Sequence, residues 1–537
     1  MNKVIVAVNA KNIHKALAPW CLKSYCDAKG VKDLGVIEVN INDSVNEVTA
    51  KFFAAAPAMA AFSCYIWNIE YVKKLGGLLK KLLPGLKIIL GGPEVSFEKD
   101  LEDFPFADYL IRGPGEKAFY DLLSAIEQGI KTESIIDGCS NGFISFPTPF
   151  TDDYFKSFKN NQIPLIEKQL IYIESSRGCP FSCLYCLSST TNGIHFLPLD
   201  RVISDIRRLL ERGAKCLKFV DRVFNADKKR AAELLKFISA LDTDAEFHFE
   251  AAADLFDAAL FKIIKSIPKG RVQFEIGVQS VNPATLKAIN RKTDTDAVLK
   301  NISILSAFKN CHIHADLIAG LPFETIETFK EAVNKCIAAK PNVLQLGFLK
   351  MLKGTRIRQE SEFGVVFADF PPYEVYKTAA LSYADIIELK KIEAVIERFY
   401  NSGYFASSVA YGIKLFDTPY DFFSGFKNYC IKDSFDYKVS MKGAYSVLYD
   451  FLCLHGDTAK AKHCIKMDSL SFDERGLLPD GIESVRSKQA ELLYKEKTKC
   501  THKVRAEFFE LEGRYKLFIY DKRCPVANTY ESIDICE

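Results

Sequence analysis

Apolar residues along the first 135 positions fall into short runs, KVIVAV (3–8), VIEVNI (36–41), AMAAFSCYIW (58–67), LKIILGG (86–92) and ADYLIRG (107–113). Each run has strand length and strand composition. Between them the apolar positions take helical spacing over 14–29, 44–56, 69–83 and 116–128. Five strands in strict alternation with helices predict an α/β domain built on a doubly wound parallel sheet, with ligands beyond the strand C-termini. Glycines gather at those ends, in GGP (91–93) and RGPGE (112–116). There a backbone can approach a large ligand. Neither is the G-x-G-x-x-G fingerprint of dinucleotide sites.

The alternation resumes after residue 166. QLIYIESS (169–176), CLKFVDRVF (216–224), EFHFEAAAD (246–254), RVQFEIGVQS (271–280), CHIHADLIAGLP (311–322) and NVLQLGFLKML (342–352) read as strands, with helical segments between them. Six strand–helix units predict a partial (β/α)6 TIM-like barrel, short of the eight units of a closed one. Polar residues left at the strand ends, where such sheets hold ligands, are Asp221, Glu250, Glu275, Gln279, Ser280 and Asp316. Residues 136–165, with DGCSNGF and FPTPF, are turn-rich and read as a linker. The tail reads as a mostly helical α+β domain. PPYEVYKTAALSYADIIELKKIEAVIERFY (371–400) and GAYSVLYDFLCLHG (443–456) are amphipathic, and RYKLFIYDKR (514–523) is a strand. The expected domains are 1–135, 166–358 and 359–537.

Composition narrows the picture. Apolar content of 48% with 26% charged residues is ordinary for a globular chain. The 71 basic residues against 68 acidic leave a formal charge of +3, which argues against a large nucleic-acid footprint. VIVAV, directly after Met1-Asn2-Lys3, is too short for a signal peptide. The longest uncharged stretch (52–67) is broken by Pro57 and falls short of the roughly 20 apolar residues of a membrane helix. A soluble, cytoplasmic protein is expected. Most of the 16 cysteines are then small buried hydrophobes rather than disulfide partners.

Cys179, Cys183 and Cys186 stand apart, crowded into ESSRGCPFSCLYCLSS (174–189) at the C-terminal end of a strand. Three thiolates in one loop can hold zinc, hold an iron–sulfur cluster or do redox work. Structural zinc wants a fourth Cys or His in a second short pair, and His195 has no such partner. A 4Fe-4S cluster normally takes four cysteines, so three leave one iron open to a substrate or cofactor.

C-x-x-x-C-x-x-C with Tyr185 before its last cysteine, opening a six-unit barrel, resembles the radical S-adenosylmethionine superfamily over residues 166–358. The resemblance implies that the trio ligates a 4Fe-4S cluster whose open iron chelates S-adenosylmethionine, and that reductive cleavage gives an adenosyl radical. It also implies a reducing partner such as flavodoxin or ferredoxin. KFVDRVFN lies where the superfamily contacts the cofactor's amino group, although the usual Gly-Gly-Glu is absent, and Asp221 is the candidate substitute. Its alternative is a helix cap. FEIGVQS resembles the fourth-strand segment, making Glu275, Gln279 and Ser280 candidates for ribose or carboxylate contacts, with Glu250 beside them. DLIAGLP matches the fifth strand, whose backbone near Gly320 would lie against adenine.

Joined to such a barrel, residues 1–130 resemble the cobalamin-binding domain of the cobalamin-dependent subfamily, with ILGGPEVSF and IRGPGE as the loops that clasp the corrin. Candidate contacts are Gly91, Gly92, Pro93, Gly113, Gly115 and Glu116, with Ser63, Tyr65 and Trp67 after the third strand. The Asp-x-His-x-x-Gly motif of an axial histidine is missing, so His14 is a candidate for the ligand's edge or for a cap on the first helix. The tail resembles an uncharacterised domain that follows such enzymes. Its Cys453, His455, His463 and Cys464 fit no usual zinc spacing and read as core.

The resemblance implies an enzyme that uses a 4Fe-4S cluster, S-adenosylmethionine and cobalamin, a methyltransferase acting on carbon or phosphorus of a small-molecule substrate. Its rivals are a radical rearrangement or ring contraction with the same cofactors, and a non-catalytic cobalamin sensor.

Overall fold

The computed structural model describes residues 3–142, 145–159, 166–191, 193–430 and 439–535. The fold is α/β, and the chain divides into two units. The first comprises Met1–Glu250, Lys350–Ser361 and Phe367–Glu374, and the second Ala251–Leu349, Glu362–Val366 and Val375–Glu537.

The first unit opens with strands β1 (Lys3–Asn9), β2 (Leu34–Asn40), β3 (Met59–Ser63), β4 (Lys87–Gly91), β5 (Tyr109–Arg112) and β6 (Ile135–Asp137). They form one sheet of order β2-β1-β3-β4-β5-β6 with every pair parallel. The order reverses between β1 and β3, which puts the topological switch point at the ends Asn9 and Ser63. Helices cover both faces. Val4, Val6 and Val8 pack with Phe52, Val72 and Leu75, whereas Ile5 packs with Cys26, Phe119 and Leu122 on the other side. That two-sided burial is why the runs are continuously apolar.

Strands β7 (Leu170–Ile173), β8 (Cys216–Phe219) and β9 (Glu246–Ala251) follow as parallel neighbours, Leu170↔Cys216 and Cys216↔Glu246 in register. The second unit contains β10 (Val272–Gln279), β11 (His312–Ala319) and β12 (Val343–Phe348), also parallel, with Gln273↔His312 and His314↔Val343 paired. These are the six strands of the partial TIM-like barrel. The rest of the second unit is a run of helices from Tyr383–Val395 to Lys488–Thr498, then an antiparallel sheet of Lys503–Phe509, Arg514–Tyr520 and Glu531–Ile535. This part docks on β12. The Asn401 amide donates to Leu344 O at 3.0 Å and accepts from Leu344 N at 2.8 Å, taking the place of a neighbouring strand.

Several boundaries differ from the sequence expectation. The helix expected over 14–29 is Ala18–Ala28, with Pro19 in its first turn, and no side chain caps it. His14–Lys15 instead form a short strand beside β7, His14↔Leu170. The run 58–67 stops being strand at Ser63 because the buried Asn68 side chain turns the chain. Its amide donates to Val8 O at 3.0 Å and Ser63 O at 2.9 Å and accepts from Tyr65 N at 2.8 Å. In the passage 136–165, residues 143–144 and 160–165 lie outside the described residues. The described part starts on β6 and buries Phe146, Phe150 and Tyr154. The helix expected over 371–400 starts only at Tyr383, where Ser382 and Asp385 form a reciprocal capping box.

A buried ion pair anchors the turn after β1. Lys15 (1% exposed) meets Glu38 (5%) beneath the rings of Phe158, Trp20 and Tyr154, and Glu38 also accepts from Asn9 Nδ2, Ala16 N and Trp20 Nε1. Removing one partner leaves an uncompensated buried charge. Lys15→Met is expected to destabilise the first unit by about 3–5 kcal/mol, and Lys15→Met/Glu38→Gln to recover part of it, read from urea denaturation midpoints. Equal midpoints for wild type and Lys15→Met would show that the pair contributes nothing.

Candidate active site

The cysteine loop leaves β7 through Glu174, Ser175 and Ser176, and its neck is a short antiparallel pairing of Ser176–Gly178 with Ile194–Phe196. Gly178 sits at φ +92°, and a Cβ there would lie 2.2 Å from Gly193 O, so only glycine closes this neck. Cys179 N donates to Gly193 O at 3.0 Å, and Cys186 N to Cys183 O at 3.3 Å. Cys183 is buried, and Cys179 and Cys186 are half-buried. Burial pushes the Cys179 thiol up; the Phe181 N–H and the charge of Arg222 lower it, while Cys186 and Cys183 raise it. Three thiols thus stand in one loop with a fixed neck, a donor set whose chemistry fits an iron–sulfur cluster.

Asp221, just after β8, is 1% exposed. It accepts from Ser175 N at 2.8 Å, Ser175 Oγ at 2.6 Å and Ser176 Oγ at 2.5 Å, which fastens the start of the cysteine loop. Burial pushes its carboxyl up to about 6 against the opposing pull of these donors. Glu250, at the end of β9, is half-exposed and lies 3.3 Å from Arg222.

Three loops at the C-terminal ends of the β1–β6 sheet belong to the same unit. Tyr65 and Trp67 stack with centroids 4.3 Å apart and planes 9° from parallel, and Trp67 is exposed. Two of the glycines answer to the fold itself. Gly92 (φ +108°) would place a Cβ 2.6 Å from Cys64 O, and Gly113 (φ +70°) one 2.3 Å from Cys139 Sγ. Ser96 Oγ joins their loops, donating to Gly92 O at 2.9 Å and accepting from Gly113 N at 3.2 Å. Gly91, Pro93 and Gly115 flank them, and Ser63 Oγ reaches Val6 O at 3.4 Å. His14 Nδ1 lies 2.6 Å from Tyr172 Oη on β7.

Two ties hold the loops after β4 and β5 to the cysteine loop. Arg177 pairs through both terminal nitrogens with Glu116 at 3.2 and 2.9 Å, and grips Glu174 twice at 2.8 Å. The second tie is a strap, residues 350–361 and 367–374. Ile357 N donates to Leu184 O at 3.1 Å, and Arg356 donates to Ser182 O. From the same strap Lys353 pairs with Glu98, and Tyr373 Oη donates to the buried Glu94 beside the GGP loop. Sequence reasoning placed Glu116 at the corrin and missed Arg177, Glu174, Asn68, Glu94 and the strap. The repeat of RG before the cysteines and before PGE was the available signal for the first of these, but not for its partner.

In the second unit, Gln279 takes φ +69° at a register shift in β10, and its Oε1 is buried without a partner among the described residues. An orphaned carbonyl at the end of a barrel strand fits a ribose hydroxyl or an ammonium group. Ser280 donates to Glu324, a fully buried carboxylate that also accepts from Thr328 Oγ1 at 2.6 Å and that no sequence signal singled out. Burial pushes the Glu324 carboxyl up. Glu275 pairs in register with His314, and Asp316 with Gly277. Gly320 (φ +88°) lies 3.5 Å by its missing Cβ from Val375. In the tail, His455 packs on Phe416 and Phe451 while His463 faces Phe509 and Glu512, so Cys453, His455, His463 and Cys464 do not converge.

Comparison with known proteins gives three family matches: the B12 binding domain over residues 3–123, the Radical SAM superfamily over 173–336, and a protein of unknown function, DUF4080, over 361–522. An uncharacterised methyltransferase of Pyrococcus horikoshii is 24% identical over 60% of this chain and 72% of its own length. The cobalamin-dependent radical SAM methyltransferase TokK of Streptomyces tokunonensis is 24% identical over 55% of this chain, which spans only 47% of that protein. The solved structure of the cobalamin-dependent S-adenosylmethionine radical enzyme OxsB, with aqua-cobalamin and S-adenosylmethionine bound, shares the fold at a TM-score of 0.58, with 14% identity over 93% of this chain and 81% of that one. Among the described residues no helix is long and apolar enough to cross a membrane.

Two expectations test this geometry. Asp221 folds with its carboxyl near 6 against an ordinary 3.8, so between those values the folded chain keeps a proton that the unfolded chain has lost. Its contribution therefore falls as pH rises through that window, by at most about 3 kcal/mol. Asp221→Asn should flatten the decline in Tm between pH 4 and 6, the remaining slope belonging to the other carboxyls that burial pushes up, Asp468 (to about 6), Glu94, Asp205 and Glu324. Parallel wild-type and variant curves would refute it. Arg177→Lys keeps the charge but loses the planar fork, and should lower the melting temperature while leaving circular dichroism unchanged; an unaltered Tm would mean that the double clamp is idle.

Proposed function

We propose that the chain, which matches the B12 binding domain over residues 3–123 and the Radical SAM superfamily over 173–336, works as a cobalamin-dependent radical S-adenosylmethionine enzyme and transfers a methyl group to an unactivated carbon, or to phosphorus, of a small molecule. The observation that carries this reading is the double tie, through Arg177 and through the strap, between the cysteine loop and the loops after β4 and β5. Two cofactors that must act on one substrate require such a fixed relation between their seats.

The reading assigns residues 1–135 to cobalamin, 166–358 to the cluster and S-adenosylmethionine, and 359–537 to a domain whose role the chemistry does not name. Cys179, Cys183 and Cys186 would hold the 4Fe-4S cluster. When bound, the cluster and S-adenosylmethionine supply a hydrogen-abstracting radical, and cobalamin supplies the methyl group. Asp221 is a positioning residue in this scheme. Its oxygens already accept three hydrogen bonds from the serines that start the loop, so it fixes where the cysteines stand. Gln279, whose Oε1 is buried without a partner among the described residues, is a candidate contact for S-adenosylmethionine. Tyr65 and Trp67 offer a flat apolar face for the corrin, with Gly91, Gly92 and Pro93 beside them. A one-electron donor of the flavodoxin or ferredoxin type completes the system.

Anaerobic reconstitution with iron, sulfide and cobalamin, then S-adenosylmethionine and titanium(III) citrate, tests the reading. Both 5′-deoxyadenosine and S-adenosylhomocysteine should appear, and Cys179→Ala/Cys183→Ala/Cys186→Ala should abolish deoxyadenosine. Deoxyadenosine alone would replace methyl transfer by rearrangement or ring contraction. Neither product from protein loaded with both cofactors would make the chain a cobalamin-binding sensor.

A further inference from the structure

The opposite ends of β8 and β9 carry a second cluster of ligating side chains. Cys216 is the first residue of β8, and Glu246 and His248 lie on β9, with Cys216↔Glu246 and Lys218↔His248 in register. Side chains alternate along a strand, so Glu246 and His248 share one face while Phe247 and Phe249 are buried on the other. The three ligand atoms lie within 4.8 Å of one another. Cys216 Sγ is 3.5 Å from His248 Nε2, and that nitrogen is 3.6 Å from Glu246 Oε2.

These separations fit a shared metal ion as well as they fit a hydrogen bond and an ion pair. Tetrahedral zinc, with sulfur at about 2.3 Å and imidazole nitrogen at about 2.0 Å, sets those two ligands about 3.5 Å apart. A carboxylate oxygen at about 2.0 Å would stand about 3.3 Å from the nitrogen. One thiolate, one imidazole and one carboxylate form a donor set that zinc accepts and that magnesium or calcium does not favour. The Glu246 side chain is 47% exposed, which leaves an entry path, whereas that of His248 is 15% exposed and held in place. The position also matters. Asp221 and the end of β9 at Glu250 belong to the C-terminal side of the strands, whereas Cys216 and Glu246 are the residues with which β8 and β9 begin. Side chains at that end of a barrel serve stability rather than catalysis.

We propose that Cys216, Glu246 and His248 bind a Zn²⁺ ion, with water in the fourth position, and that the ion clips β8 to β9 at their N-terminal ends. The clip is independent of the cofactor sites, so its failure leaves the proposed methyl transfer standing.

Empty cluster cysteines also take zinc, so the test uses the full-length Cys179→Ala/Cys183→Ala/Cys186→Ala chain. After dialysis against zinc and then metal-free buffer, elemental analysis should find one equivalent of zinc, and added zinc should raise Tm. Co²⁺ in its place should give the visible bands of a tetrahedral ion and a thiolate-to-cobalt charge-transfer band. Cys216→Ser in that background should lose the charge-transfer band, and His248→Gln should weaken zinc binding by about 10-fold or more with an unchanged circular dichroism spectrum. Absence of retained zinc in the parent chain, no rise in its Tm, or equal zinc binding after either substitution would overturn the proposal.

Discussion

Arg177 is the residue on which the arrangement of the candidate site depends. Its guanidinium lies between two carboxylates, Glu116 at the start of a helix of the β1–β6 sheet and Glu174 at the end of β7. Only a planar cation with several donors can satisfy two carboxylates in this way, and both acids are nearly buried, at 8% and 11% side-chain exposure. The cost of withdrawing three charges from water is offset only while all three are present. The network therefore acts as a geometric specification: the cysteine loop can begin only where Glu116 allows. Phe146 and Arg201 extend it, Arg177 and Arg201 each lying 4.8 Å from the Phe146 ring.

The strap uses weaker bonds over greater sequence distance to the same end. Its backbone and Arg356 hold the loop carbonyls of Ser182 and Leu184, while Tyr373 and Lys353 hold Glu94 and Glu98. Glu94 is buried, and burial pushes its carboxyl up, so the Tyr373 hydroxyl is the donor that makes it tolerable there. Glycine plays a different part from the one its position suggests. Gly92 and Gly113 lack side chains because Cys64 and Cys139 occupy the space, so these turns are shaped by protein against protein, and any ligand meets the surface that results.

Much of the fold was legible because parallel strands covered on both faces leave a continuous apolar signature, and the cysteine trio was legible because its spacing is local. Asn68, Glu94, Arg177 and Glu324 were not. Each acts through a partner distant in the chain, 279 residues in the case of Glu94 and Tyr373 and 61 for Arg177 and Glu116, and no periodicity records such pairs. The run 58–67 shows the same limit at short range. Its apolar content continues to Trp67, but the strand ends at Ser63 because a side-chain amide intercepts the backbone groups that a continuing strand would use. Nothing in the sequence around Cys216 sets it apart from the other cysteines for a related reason, since its neighbours in the chain are not its neighbours in the sheet.

The tail was the least legible part, and its attachment explains why it cannot be treated as an appendage. Asn401 fills both hydrogen-bonding positions of Leu344 on β12, Tyr400 Oη donates to Pro341 O at 2.6 Å, and Asn342 Nδ2 reaches Val526 O at 3.3 Å. A strand with open backbone groups is a template for unwanted pairing, and here side chains from the tail close it. The tail's aromatic core of Phe399, Phe405, Phe422, Phe426 and Phe451 is buried and supports that contact.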